Sequence, residues 1–308
     1  MRPVQERHQD YVLGPNQDAR LASVAPGQEL TSVTLHLDSD APFVLRARAY
    51  RVKYDNLDSR TQVGLNNVAL RYAGPLRDFR QQGYIPQGLV MPYGGQGGAW
   101  HPLRHQILYP LAGVIQLDLV NTGPSTLTNL TFYFRGVKLF QPGVNPASTY
   151  PPDCRLQPFV YPLQQITNTN LYGVIQNLGT NETRISQIFR GQNDADFVLR
   201  YGQAGPSFGP FPLEVGFILR DENEKPYSND YVHYETLFGP CRGNFSCGGT
   251  TIPAIGTGNA LPSVMYPEIY VKKNHILWWD VQRQDSGFIG AATIPSFPVN
   301  LIGSKVYS

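Results

Sequence analysis

Charge is scarce in this chain. Asp, Glu, Lys and Arg make up 16% of its 308 residues, against about a quarter in an ordinary soluble protein. The Lys and Arg residues are scattered and the net charge is only +2, so no basic footprint for nucleic acid forms. No apolar run reaches the ~20 residues of a membrane span. The N-terminus, Met1-Arg2-Pro3-Val4-Gln5-Glu6-Arg7, lacks the apolar stretch of a secretory signal, so a product made in the cytoplasm is expected. Cys154, Cys241 and Cys247 are too few for a disulfide scaffold. Cys241 and Cys247 could bridge a small loop, but reduced thiols suit that compartment better. A capped 3.6-residue stripe is missing too, and 30 Gly with 26 Pro interrupt any helix.

What is present is a core-forming fraction of 41% hydrophobic residues, with the missing polarity supplied by Asn, Gln, Ser and Thr. A surface of neutral polar groups lowers the desolvation cost of contact with neighbours. Apolar residues recur with period 2, the mark of strands with one side on a core. Val33, Leu35 and Leu37 alternate with polar residues, as do Ile115, Leu117 and Leu119. Leu130, Phe132 and Phe134 form a third such set, and Leu213, Val215, Phe217 and Leu219 a fourth.

The chain also repeats itself. Asp40-Ala41-Pro42-Phe43-Val44-Leu45-Arg46 returns as Asp194-Ala195-Asp196-Phe197-Val198-Leu199-Arg200. Tyr109-Pro110 precedes a strand at 114–120, and Tyr266-Pro267 precedes strands at 269–271 and 276–281. Gly136-Val137-Lys138-Leu139-Phe140 returns as Gly303-Ser304-Lys305-Val306-Tyr307. Three matches in one order predict a duplicated domain. The expected architecture is all-β: two tandem β-sandwiches of jelly-roll or Greek-key type. An N-terminal arm (1–28) and the first sandwich fill 1–140, a Pro-rich linker 141–153, and the second sandwich 154–308. Gly136 marks a phase slip where a bulge is expected. Loop-rich insertions are expected at 55–105 and 221–263.

Catalytic patterns are wanting. Gly94-Gly95-Gln96-Gly97-Gly98 has no Gly-Lys-Ser/Thr and reads as a loop tip. His101 and His105 have ligand spacing for a helix, but Pro102 intervenes and no carboxylate accompanies them. Asp221-Glu222-Asn223-Glu224 reads as a solvated turn rather than a calcium site. Asp38, Asp40, Asp194 and Asp196 read as turn residues. No catalytic residue, cofactor or metal is expected. Aromatics in the long loops, Tyr84, Tyr93, Trp100, Phe238 and Phe245, are the candidate contact residues. Of the adjacent Trp278 and Trp279, one faces the core.

The Asp-Ala-x-Phe-Val-Leu-Arg strand, the Tyr-Pro entry and the closing strand of residues 127–140 resemble β-sandwich structural proteins of tailed bacteriophages. Those proteins decorate or cement capsids, or sit at vertices, necks and tails. The resemblance covers roughly 29–140 and 184–307 and carries no catalytic residue with it. It implies a non-enzymatic virion protein, a capsid decoration, cement or minor head protein. Its partners would be the major capsid or other virion proteins, in multiple copies or as a homo-oligomer. A tail, neck or receptor-binding protein contacting a host glycan is the alternative.

Overall fold

The computed structural model describes residues 5–15, 17–52, 68–73, 83–86, 101–140, 154–162, 174–179, 183–190, 194–204, 215–233, 236–237, 245–247, 250–252, 263–283 and 293–307. The chain falls into two compact units, the first ending at Pro146 and the second running over Ala147–Ser308. Strands dominate both. Helical geometry among the described residues is confined to a 3-10 turn at Ala19–Ala22, capped by the Asp18 carboxylate, and to residues 236–237.

The first unit contains β1 (Gln5–Leu13), β2 (Ser23–Val24), β3 (Glu29–His36), β4 (Phe43–Val52) and β5 (Val68–Ala73). It continues with β6 (Ile85–Pro86), β7 (His101–Tyr109), β8 (Val114–Asn121), β9 (Leu127–Thr128) and β10 (Leu130–Phe140). One sheet runs β1-β10-β4-β7 and the other β3-β8-β5-β6, while β2 and β9 form a small pair. The second unit contains β11 (Arg155–Pro162), β12 (Val174–Gly179), β13 (Thr183–Arg190), β14 (Asp196–Ala204), β15 (Val215–Arg220) and β16 (Val232–His233). It closes with β17 (Phe245–Cys247), β18 (Thr250–Ile252), β19 (Ser263–Val271), β20 (Ile276–Arg283) and β21 (Thr293–Tyr307). Its sheets run β11-β21-β14-β19, with β12 also on β21, and β13-β20-β15-β16. Strand for strand the orders coincide. Numbering the eight main strands of a unit by position, one sheet is 1-8-3-6 and the other 2-7-4-5, the order of a jelly roll. The fold is two tandem, duplicated jelly-roll sandwiches.

The core of the first unit lies between its sheets. Tyr11, Phe43, Phe132 and Phe134 from one meet Val33, Leu35, Leu70, Ile115, Leu117 and Leu119 from the other, all buried. In the second unit Phe197, Leu199 and Leu301 are buried from one sheet, and Phe217, Leu219, Leu277 and Trp279 from the other. The rings of Phe217 and Trp279 stack at 5.1 Å. The period-2 reading holds at these residues, with Leu213 outside the described residues, and Trp279 is the core member of its pair while Trp278 is half-buried.

Register shows why two sequence motifs recur together. Gly136 pairs with Leu45, and Gly303 pairs with Leu199. A Cβ on Gly136 would sit 2.0 Å from the Val44 carbonyl oxygen and 2.6 Å from Phe43 Cζ. On Gly303 it would sit 1.8 Å from the Val198 carbonyl oxygen and 2.8 Å from Phe197 Cζ. The glycine is required because the neighbouring strand and its phenylalanine ring occupy that space. Tyr11 meets Phe43 edge-on at 4.8 Å, and Tyr161 meets Phe197 likewise at 4.8 Å.

Four expectations need correction. The polar N-terminal stretch is not wholly an arm: Gln5–Leu13 is an edge strand, with Tyr11 and Leu13 fully buried. Its polarity misleads because His8 and Asp10 are buried against an ionic partner. The supposed insertion of the first unit holds β5, β6 and the start of β7, which are strands of its two sheets; that of the second holds β16, which belongs to a sheet, and the β17–β18 hairpin, which stands outside both. Tyr109 and Tyr266 are not equivalent: Tyr109 pairs with Phe43, whereas Val271 is the residue that pairs with Phe197. The bulge falls on the partner strand, at Arg46 in β4 and Arg200 in β14, which the ladders skip. The Pro-rich stretch 141–153 lies outside the described residues.

Candidate interaction surface

Register sets the positions that can be compared between units. The acidic residues before β4 and β14 do more than turn the chain. Lys138 on β10 is buried, and its Nζ reaches Asp38 at 2.6 Å and Asp40 at 2.9 Å. Lys305 on β21 repeats this with Asp194 at 2.8 Å. The Tyr11 hydroxyl donates to Asp38 at 3.0 Å, and burial together with that carboxylate pushes its pKa up. The hydrogen bond from Lys305 holds the exposed Asp194 carboxyl below its usual range. These clamps tie each loop to the strand two positions beyond the glycine, so the recurrent Asp, Phe, Gly and Lys are one structural unit.

The clusters with potential for chemistry have structural roles. Asp221 Oδ1 accepts from the Asn223 and Lys225 backbone N–H groups at 3.0 and 2.8 Å, which closes a turn. Glu224 takes a left-handed conformation, φ 62°. His101 and His105 lie on strand β7 rather than on a helix, so the helical ligand pairing does not arise. Among the described residues no group of three or more His, Cys, Asp and Glu is placed to hold a metal ion. No described helix is long and apolar enough to cross a membrane.

Of the aromatic candidates, Tyr84 is half-buried, with the Arg71 guanidinium 5.1 Å from its ring centroid. Its hydroxyl bonds to Glu29. Partial burial and that carboxylate push its pKa up to about 12. Arg71 also bonds Asp118 at 2.9 Å, so Tyr84 caps an internal ionic network. Phe245 opens the β17–β18 hairpin. Tyr93, Trp100 and Phe238 lie outside the described residues.

The surface that sequence reasoning missed is the outer face of the sheet containing β1 or β11. In the first unit that face carries Glu6, His8 and Asp10 on β1, Arg135 on β10 and Ala47 on β4. Asp10 bonds Arg135 at 2.7 Å and His8 at 3.0 Å, and all three are buried. Burial alone would raise the Asp10 carboxyl, but the charges of Arg135 and His8 hold it well below the carboxylate range. The same positions in the second unit are Leu156, Pro158, Val160, Ile302 and Tyr201. There Leu156 is 40% exposed, Val160 49% and Tyr201 37%.

At the opposite edge the contrast reverses. Leu108 on β7 and Leu111 in the turn after it are 57% and 55% exposed. Their counterparts are Tyr270 on β19 and Lys273 in the turn after it, and both bond Asp196, the first by its hydroxyl and the second by its backbone N–H. These five side chains are the exposed large apolar residues among those described.

No protein-family model matches the chain, and no curated protein matches it. Among solved structures, the N-terminal CBM22-1-CBM22-2 tandem domain of Xyn10C from Paenibacillus barcinonensis aligns over 92% of this chain and 85% of its own, at 10% identity. The TM-score is 0.20, too low for the likeness to bear on fold or function.

Proposed function

We propose that this chain is a non-enzymatic structural protein of a virus particle, a capsid component that docks on other particle proteins and on copies of itself. The observation that carries the reading is the eight-strand jelly-roll order found twice in one chain. Jelly rolls recur as domains of viral capsids. Two rolls in one chain favour a place in the shell itself over the decorating or cementing role that the sequence resemblance implies. The buried Asp, Lys and Arg groups have partners inside their own unit, which accounts for them without chemistry. Low charge and exposed apolar residues suit protein contact. Fold alone does not fix function, and lectins share this architecture, so a tail or receptor-binding protein that contacts a glycan is the second reading. Tyr84, its one candidate whose side chain is described, is already engaged by Arg71 and Glu29.

Mass spectrometry of purified particles, with cryo-electron microscopy to place the chain, tests this. The expected result is a copy number matching the most abundant shell proteins. A chain absent from particles, or confined to the tail, refutes the shell reading, and binding on a glycan array would favour the second.

A further inference from the structure

The second sheet of each unit carries an arrangement that the recurring sequence motifs do not include. In the first unit Leu30 of β3 pairs with Leu119 and Val33 with Leu117, so Thr31 and Ser32 bulge opposite Asp118 of β8. In the second, Arg184 of β13 pairs with Val281 and Gln187 with Trp279, so Ile185 and Ser186 bulge opposite Asp280 of β20. Both aspartates are buried. Both bulged strands lie at the edge of their sheets.

The first bulge is tied on two sides. The Ser32 N–H donates to Asp118 Oδ1 at 2.7 Å. The Arg20 guanidinium donates to the Thr31 and Ser32 carbonyl oxygens at 2.9 and 3.2 Å. Ser32 is held there at φ 54°, a left-handed conformation that a residue with a side chain keeps only when its surroundings fix it. In the second unit Asp280 Oδ2 accepts from Arg220 at 2.7 Å, while Oδ1 is buried with no hydrogen-bond partner.

The ion pairs differ where the acids do not. Asp118 stands across the ladder from Arg71, which bonds it at 2.9 Å. Ile218 holds that place opposite Asp280, and the cation comes instead from Arg220, two residues along β15. The cation has moved and the acid has stayed. An acid kept through a change of ion-pair partner serves more than the ion pair, and what the two acids share is the bulge each one faces.

We propose that Asp280 is a latch for edge strand β13 and that the structure shows it open. In the closed seating Asp280 Oδ1 accepts the Ser186 N–H, as Asp118 Oδ1 accepts that of Ser32. A second orphan supports this. Trp278 lies two residues before Asp280, on the same face of β20, and its indole Nε1 is also buried without a hydrogen-bond partner. Buried polar atoms in a settled structure find partners, so two orphans beside one edge strand mark a seating that can tighten. Within its sheet β13 is bonded to β20 alone, so it can shift without breaking a second ladder there. The latch sets how firmly this edge is held, and it stands whether or not the chain belongs to a particle.

Amide hydrogen exchange at single-residue resolution tests this on the full-length protein, on Asp280→Ala and on Arg220→Ala. The Ser186 N–H should exchange at least about tenfold more slowly in the wild type than in Asp280→Ala. Arg220→Ala removes the ion pair and spares the latch, so Ser186 should stay protected. Equal Ser186 exchange in the wild type and Asp280→Ala overturns the proposal. Protection lost in Arg220→Ala overturns it too, because Asp280 would then act only as an ion-pair partner. Should Asp280→Ala fail to fold, Asp280→Asn keeps the shape and weakens the acceptor; faster Ser186 exchange is expected there, and unchanged exchange sinks the latch.

Discussion

A methyl group on Gly136 or Gly303 would test the central claim of duplication at its tightest point. In Gly136→Ala the new carbon falls 2.0 Å from the Val44 carbonyl oxygen and 2.6 and 2.8 Å from two atoms of the Phe43 ring. A relaxed carbon–oxygen contact is ~3.3 Å, so β10 and β4 must move apart by about 1 Å at this pair. The ring could swing away, but the carbonyl belongs to the strand and cannot. Overpacking of this kind costs ~1–3 kcal/mol, and each ladder hydrogen bond lost adds ~1 kcal/mol. A total of about 3 kcal/mol follows. With a urea slope of about 2 kcal/mol per M, the midpoint falls by about 1.5 M. Gly303→Ala, at 1.8 Å from the Val198 carbonyl oxygen, should behave alike. Neither glycine is among the residues at positive φ, so the penalty comes from lost space and not from backbone preference. Equilibrium unfolding of both variants measures it. A shift of less than about 0.5 M in both would refute the close approach and the register that produces it.

Phe134→Ala should lose ~3–5 kcal/mol, because the ring is fully buried between the sheets; a wild-type melting curve would show the β10 register to be wrong. Asp10→Ala removes the buried carboxylate that Arg135 and His8 bond and should cost ~3–5 kcal/mol at neutral pH. The Asp10 carboxyl is depressed in the fold, so its stabilisation is complete above about pH 4, where the unfolded group titrates, and is lost as pH falls toward the lower folded value. Stability of Asp10→Asn should therefore fall less steeply in acid, and parallel acid profiles would contradict the pairing. Ala112 sits at φ 53° where the equivalent residue of the second unit is Asn274 at φ 65°; Ala112→Asn should raise stability by roughly 0.5–1 kcal/mol, read by thermal unfolding, and a lower Tm would count against it. Deleting residues 1–13 removes an edge strand and the buried Tyr11 and Leu13, a loss comparable with the stability of a domain. Near-ultraviolet circular dichroism of the truncated chain should lose the first unit's signal, and a fully native spectrum would argue that β1 is dispensable.

The central strands were legible in the sequence because each buries one side or both, and period 2 survives there. The Phe43 and Phe197 pairing was legible because space at Gly136 and Gly303 tolerates no side chain, so both motifs stayed alike. β1 is illegible as a strand because its outer residues are charged and find their partners far along the chain, Glu6 at Arg46 and Asp10 at Arg135, 125 positions away. β5 to β7 are obscured by the long segments between them and by Pro102 at the start of β7. The patch at Leu156 and Val160 could not be seen, because Gln5–Leu13 and Arg155–Pro162 barely resemble each other. Only their pairing with β10 and β21 places them in one alignment. Of the loop aromatics, Tyr84 is braced from within by Arg71 and Glu29.

In each unit the strand at the centre of the first sheet, β10 or β21, is the last of that unit to be synthesised. On the ribosome, β1 and β4 must wait through about a hundred further residues before the segment that joins them emerges. Such long-range closure is slow and leaves unsatisfied edges exposed meanwhile. While several ribosomes translate one message, β10 of one nascent chain could slot between β1 and β4 of its neighbour, giving an exchanged dimer. Heavy expression should therefore yield entangled pairs unless a chaperone shields the gap, and slowing translation should reduce them.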